Sequence, residues 1–259
     1  VDYLMADDFG GFPEFPLKNG IPGGFPAVGF PEISMEPMWP WGGFGANPRP
    51  RHWEDYWNKT KDLLSGFFPY SEGIFEDINK VITFQFLWDP SRSADDIIRE
   101  YASYEYSPDF ADDVLSAVHQ MEETINHFLS GDISGKIWNA QEHAADGHRL
   151  PPDLKKELRN KSIYNIQNVR AAPSYYDLLE KISASLPLWA KSAWRWRILW
   201  LRGAIDKELF ESKGIATDKS EKYFDELTEI YAAKNAEMSV LPPSCKNIRR
   251  LIRNLSKSG

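Results

Sequence analysis

Four carboxylates stand where an apolar run gives way to a turn. Asp7 and Asp8 follow VDYLMA, Glu32 follows PAVGFP, and Glu72 follows GFFPYS. Trp39, Trp41 and Tyr70 lie close to them in the sequence. Hydrolysis of a glycosidic bond needs an acid to protonate the leaving oxygen and a second group to manage the oxocarbenium-like centre. Where the substrate's own N-acetyl group is the nucleophile, the second carboxylate only orients and polarises that group. Carboxylates also bind sugar hydroxyls, and aromatic side chains cover the apolar faces of a pyranose ring. Asp7, Asp8, Glu32, Trp39, Trp41, Tyr70 and Glu72 are therefore the candidate substrate-binding residues, and no residue is singled out as the catalytic acid. Each carboxylate also has a plain structural reading, as a hydrogen-bonding group at a strand–helix turn; for Glu72 that role is the cap of the following helix.

The elements that would position these groups centre on residues 66–80, GFFPYSEGIFEDINK. An apolar run that ends in Ser, Glu and Gly is the pattern of a buried strand whose tip faces a site. In a (β/α) barrel the strand tips and the loops after them form the reactive face. Residues 66–71 are expected as the third strand. Ile74, Phe75, Ile78, Val81, Ile82 and Phe86 continue at helical spacing, with Glu76 and Asp77 in the first turn, where negative charge suits the helix dipole. Residues 1–9 are expected as the first strand. Residues 26–35 are expected as the second, ending near Glu32, with Pro31 inside the run offering an earlier stop at Phe30 as the alternative. Between them, residues 10–27 are too rich in Gly and Pro for a regular element, and their phenylalanines are expected to pack down. A short helix over 53–64 precedes the third strand.

Beyond residue 90 the periodicity is helical throughout. Ser93 and Asp96 form a capping pair. Helices are expected over 109–129, 151–170, from Ser174 to Pro187, over 188–210 as one long element, and over 218–236, with a basic tail at 246–257. In WRWRILWLRG the interleaved Arg and Trp are expected to stack on one another within a helical bundle. The fold expected is α/β plus all-α: a partial (β/α) barrel segment over 1–90, too short to close, and an α-helical region over 91–259. The chain opens without Met and inside a strand, so further sequence is expected upstream.

Composition narrows the partners. A formal net charge of −8 gives no basic face for phosphates, so nucleic acid is not expected as a partner. The single cysteine, Cys245, cannot form an internal disulfide. No apolar run approaches the ~18 residues of a membrane span. His143 and His148 are five apart, a spacing that does not place both on one helical face for a metal, and no cofactor is expected. Asn58, Asn160 and Asn254 each begin a glycosylation sequon, a pattern common by chance. Phosphate-loop, dinucleotide and nucleophile-elbow motifs are missing from the sequence.

FPEISM, PWGGFGANP, PYSEGIFEDINK, REYASYEY and RWRILWLRGAID, in that order, resemble the C-terminal half of family 163 glycoside hydrolases, formerly a domain of unknown function numbered 4838. The resemblance spans most of the chain. It implies a parent with a (β/α)8 barrel followed by a helical domain. The activity implied is that of a retaining, substrate-assisted endo-β-N-acetylglucosaminidase acting on complex N-glycans. The setting implied is a bacterial protein that is secreted, periplasmic or displayed at the cell surface. Glu32 and Glu72 would then bind or support the sugar. The alternatives are a non-catalytic carbohydrate-binding or scaffold module, and an exo-acting α-glucuronidase-like glycosidase.

Overall fold

The computed structural model of the chain describes residues 1–7, 12–33, 45–71, 73–124, 172–213 and 217–231. Three short strands, β1 (Leu4–Asp7), β2 (Ala27–Phe30) and β3 (Gly66–Phe67), form a parallel sheet in the order β1-β2-β3. The register pairs Leu4 with Ala27, Asp7 with Phe30, and Gly29 with Phe67. Tyr70 N donates to Pro31 O at 2.8 Å and Ile33 N to Tyr70 O at 3.0 Å, which carries the pairing on to Glu32 and Tyr70. β2 ends at Phe30, as Pro31 dictates.

The sheet is covered on one face. Phe67 points into a layer of aromatics, 5.6 Å from Trp57 and 6.3 Å from Tyr56 between ring centroids. Both belong to α2 (Pro50–Thr60), and Trp57 stacks at 3° on Phe86 of α3 (Asp77–Trp88). Tyr3, Met5 and Phe68 are 60%, 65% and 63% exposed on the opposite side. Parallel sheets are ordinarily buried on both faces, so an apolar face exposed in this way among the described residues is unusual.

Residues 10–27 contain a regular element after all. A six-residue helix, α1 (Glu14–Asn19), starts just after Pro13, and its last turn is closed by Gly20 N donating to Pro16 O. Proline fits the first turn of a helix because the amide it lacks has no partner there. Only part of this stretch packs down: Phe12 meets Tyr56 edge-on, while Phe15 and Phe25 are exposed.

The helices that follow are α4 (Ala94–Glu105), α5 (Ala111–Thr124), α6 (Ala172–Ser185), α7 (Leu188–Lys191), α8 (Trp194–Glu211) and α9 (Asp218–Tyr231). Ser93 caps α4: its hydroxyl accepts from Asp96 N at 3.1 Å and donates to the Asp96 carboxylate at 2.8 Å. The expected single helix over 188–210 is two. Ser192 and Ala193 separate α7 from α8, and Ala193 has extended backbone angles. Within α8, Arg195 lies over Trp194 and Arg197 over Trp200, each 4.5 Å from the ring centroid, as the alternating Arg and Trp suggest. The helices expected over 151–170 and at the basic tail, together with Cys245, His143 and His148, lie outside the described residues.

Elements before and after residue 90 share one apolar core. Caps reach across it too. The Glu122 carboxylate on α5 accepts from Arg51 N and His52 N in the first turn of α2, at 3.1 and 2.9 Å. Glu54 of α2 accepts from Ala94 N at the start of α4, at 3.1 Å. Each supplies the acceptor that a helix N-terminus lacks. Among the described residues no helix is long and apolar enough to cross a membrane.

Candidate functional site

The carboxyl edge of the sheet gathers the polar groups that the strands deliver. Glu32 and Tyr70 stand side by side in the last bridge between β2 and β3. Glu32 is almost completely buried at 3% exposure, whereas Tyr70 is 38% exposed and its ring lies 5.6 Å from Phe30. Asp7 ends β1 with its backbone paired to Phe30. Asp8, Trp39, Trp41 and Glu72 fall outside the described residues. Of the seven candidates, the structure thus brings Glu32 and Tyr70 together and places Asp7 at the same edge.

Glu76 joins them, and the sequence pattern did not single it out as a site residue. It precedes the first turn of α3 and is 2% exposed. Ser71 donates to Glu76 Oε2 at 2.8 Å, and Lys80 Nζ lies 3.7 Å from the same oxygen. Lys80 also donates to the Gly73 carbonyl. Glu76 Oε1 has no hydrogen-bond partner among the described residues. Burial raises the Glu76 pKa above its ordinary value, with the Glu32 carboxylate adding to the rise, while Lys80 and the Ser71 bond oppose it. A carboxyl group held in this way keeps its proton to higher pH than a surface glutamate does. The Glu76–Lys80 spacing of four was the one sequence signal for this contact, and it is equally the mark of an ordinary surface helix pair.

Two further side chains hold the edge in shape. Asn79, fully buried on α3, donates to Ile33 O at 3.1 Å and to Asn47 O at 2.8 Å, and accepts from Arg49 N at 2.9 Å. It therefore ties residue 33, just past β2, to residues 47–49, just before α2. Arg202 of α8, with no exposed surface, donates to Ala46 O at 2.8 Å and to the Asn47 side chain. Its charge is met by Asp206, 2.6 Å away, which also accepts from Tyr175. Thr124 takes another guanidinium hydrogen at 3.0 Å. A buried ion pair of this kind is tolerated because its polar hydrogens meet acceptors, four of the five guanidinium hydrogens in the bonds just described.

Gly73 and Phe75, ahead of α3, are covered by the last described helix. The Tyr231 ring sits against the place a Cβ on residue 73 would occupy, so a larger residue at Gly73 would have to displace that ring. Phe75 packs against the same ring at 5.4 Å. The edge thus combines two buried carboxyl groups, a lysine, a serine and a half-exposed tyrosine on a braced backbone. That set can orient a polar ligand and hold a proton near it. Family models, curated proteins and solved structures were all compared with the chain, and none matches it.

Proposed function

We propose that the chain is the C-terminal portion of a barrel glycoside hydrolase and that the carboxyl edge of its sheet forms part of the sugar site. The substrate class proposed is N-acetylglucosamine-containing glycans, cleaved as by a retaining endo-β-N-acetylglucosaminidase, in a secreted, periplasmic or cell-surface parent. The observation that carries this reading is the sheet. Its strands are parallel and in sequential order, among the described residues helices cover one face only and the other face exposes apolar side chains, and acidic residues lie at the carboxyl ends. Those are the traits of a barrel wall, whose inner face is buried by further strands.

The burial of Glu32 and Glu76 assigns them to positioning rather than to direct contact with substrate. The same burial favours a second reading, a non-catalytic carbohydrate-binding or scaffold module in which this edge holds a glycan and nothing is cleaved. Glu72→Gln separates the two in the barrel-completed protein. A hydrolase loses turnover on a complex N-glycan and keeps its affinity for it. A binding module has no turnover to lose and changes only in affinity, and that outcome would overturn the enzyme reading.

A further inference from the structure

A second cleft lies away from the strand edge, between α3 and α4 and against the start of α8. Its volume is about 210 Å³, and its polar lining comes from Gln85, Glu100, Tyr101, Tyr104, Glu105 and Arg195. Drug-sized sites begin at roughly 300 Å³, so this one is the size of a single small ring.

The lining is densely polar and carries charges of both signs. Arg195 Nε donates to Asp77 at 2.9 Å and lies 3.6 Å from Glu105 Oε1. Tyr101 donates to the same Asp77 oxygen at 2.6 Å. These bonds fix Arg195 through Nε. At the other end Arg92 donates to Gln85 at 2.9 Å and also to Glu100. Glu100 and Glu105 thus face Arg92 and Arg195, with Asp77 behind Arg195 as a third carboxylate, so both signs of charge stand at the cleft. An anion would meet both carboxylates, and a cation would meet both guanidiniums. A neutral polyhydroxyl ring meets neither conflict, because each hydroxyl can accept from Arg or Gln and donate to Glu.

Aromatic surface flanks both ends. Tyr104 is 77% exposed at the Glu105 end. On α3, Phe84 and Trp88 are exposed on the face that carries Val81 and Gln85, because positions three, four and seven apart share a side. Trp88 is 87% exposed, and a surface indole beside donors and acceptors is suited to stack on a sugar ring.

We infer that the α3–α4 cleft is a binding site for one neutral sugar unit, separate from the strand edge. It shares α3 and α8 with the braces of that edge but none of the edge's side chains, and it does not depend on the hydrolase reading. The test is saturation-transfer and intermolecular Overhauser NMR of the chain with N-acetyllactosamine, with inorganic phosphate and spermidine as charged competitors. The result expected is magnetisation transfer between the sugar and the Tyr104 ring. Tyr104→Ala and Glu100→Gln, both at exposed positions and both checked for folding by circular dichroism, should each weaken binding about tenfold. Three outcomes would overturn the site: no transfer to the sugar, affinity that survives both substitutions, or displacement by phosphate or spermidine. Transfer to Tyr70 in place of Tyr104 would also overturn it, while supporting the strand edge as the sugar site.

Discussion

Glu76 shows what burial does to a single ionisable group. Its ordinary pKa of 4.5 is raised in the fold, chiefly because ionising it would leave a charge in a dry site. The native state therefore binds its proton more tightly than the unfolded chain does. Stability contributed in this way is complete at low pH and is lost as pH rises from about 4.5 through the raised folded value. Glu76→Gln, which cannot ionise, should remove that fall. Urea midpoints of the two proteins measured from pH 4 to pH 8, a range set by the linkage relation as roughly the window to scan, should diverge as pH rises, with the Gln form the more stable at the upper end. Parallel profiles would mean that Glu76 ionises normally. In the sequence this residue looked like a first-turn acid serving the helix dipole. Its neighbours Glu32 and Ser71 come from other strands and turns, so nothing local distinguishes it from a solvated glutamate.

At the scale of elements, Asn79 is the residue to remove. Its one amide satisfies Ile33 O, Asn47 O and Arg49 N, all buried backbone groups. Asn79→Ala leaves them without that partner and should cost about 3 kcal/mol, the combined penalty of stranded buried polar groups. Urea unfolding measures the loss, and the Arg49 amide should exchange with deuterium faster. An unchanged midpoint would show that the tie between residues 33 and 47 carries no strain. Local features of the fold were legible in advance: the Ser93 cap, the stop of β2 before Pro31, and the Arg–Trp stacking of α8 each depend on residues within a few positions. The tie was not legible, because Asn79 and Ile33 are 46 residues apart, and Arg202 and Ala46 are 156 apart. α1 was hidden for a different reason. Its prolines sit at the start of the helix and in its first turn, where they are harmless, but composition alone reads them as breakers. The break between α7 and α8 has no Pro or Gly to announce it.

For the molecule as a whole, the sheet states the problem. Three parallel strands with helices on one side leave Tyr3, Met5 and Phe68 bare, and a parallel sheet of this kind is stable when both faces are covered. On the function proposed above, further strands beside β1 that close the sheet on itself would cover that face and set the carboxyl edge, with Glu32, Tyr70 and Glu76, into the mouth of a barrel. Of the strand-tip acids and aromatics read from the sequence, Asp7, Glu32 and Tyr70 lie at this edge, while the braces beneath it became visible only in three dimensions. The measurement that bears most directly on the account is mass spectrometry of glycans released from a glycoprotein carrying complex N-glycans, comparing the chain alone with a form extended upstream to complete the barrel. The account predicts that the extended form releases glycans lacking one core N-acetylglucosamine. If neither form releases glycans where a known endoglycosidase does, or if only single sugars appear, the proposed endo-acting function is wrong.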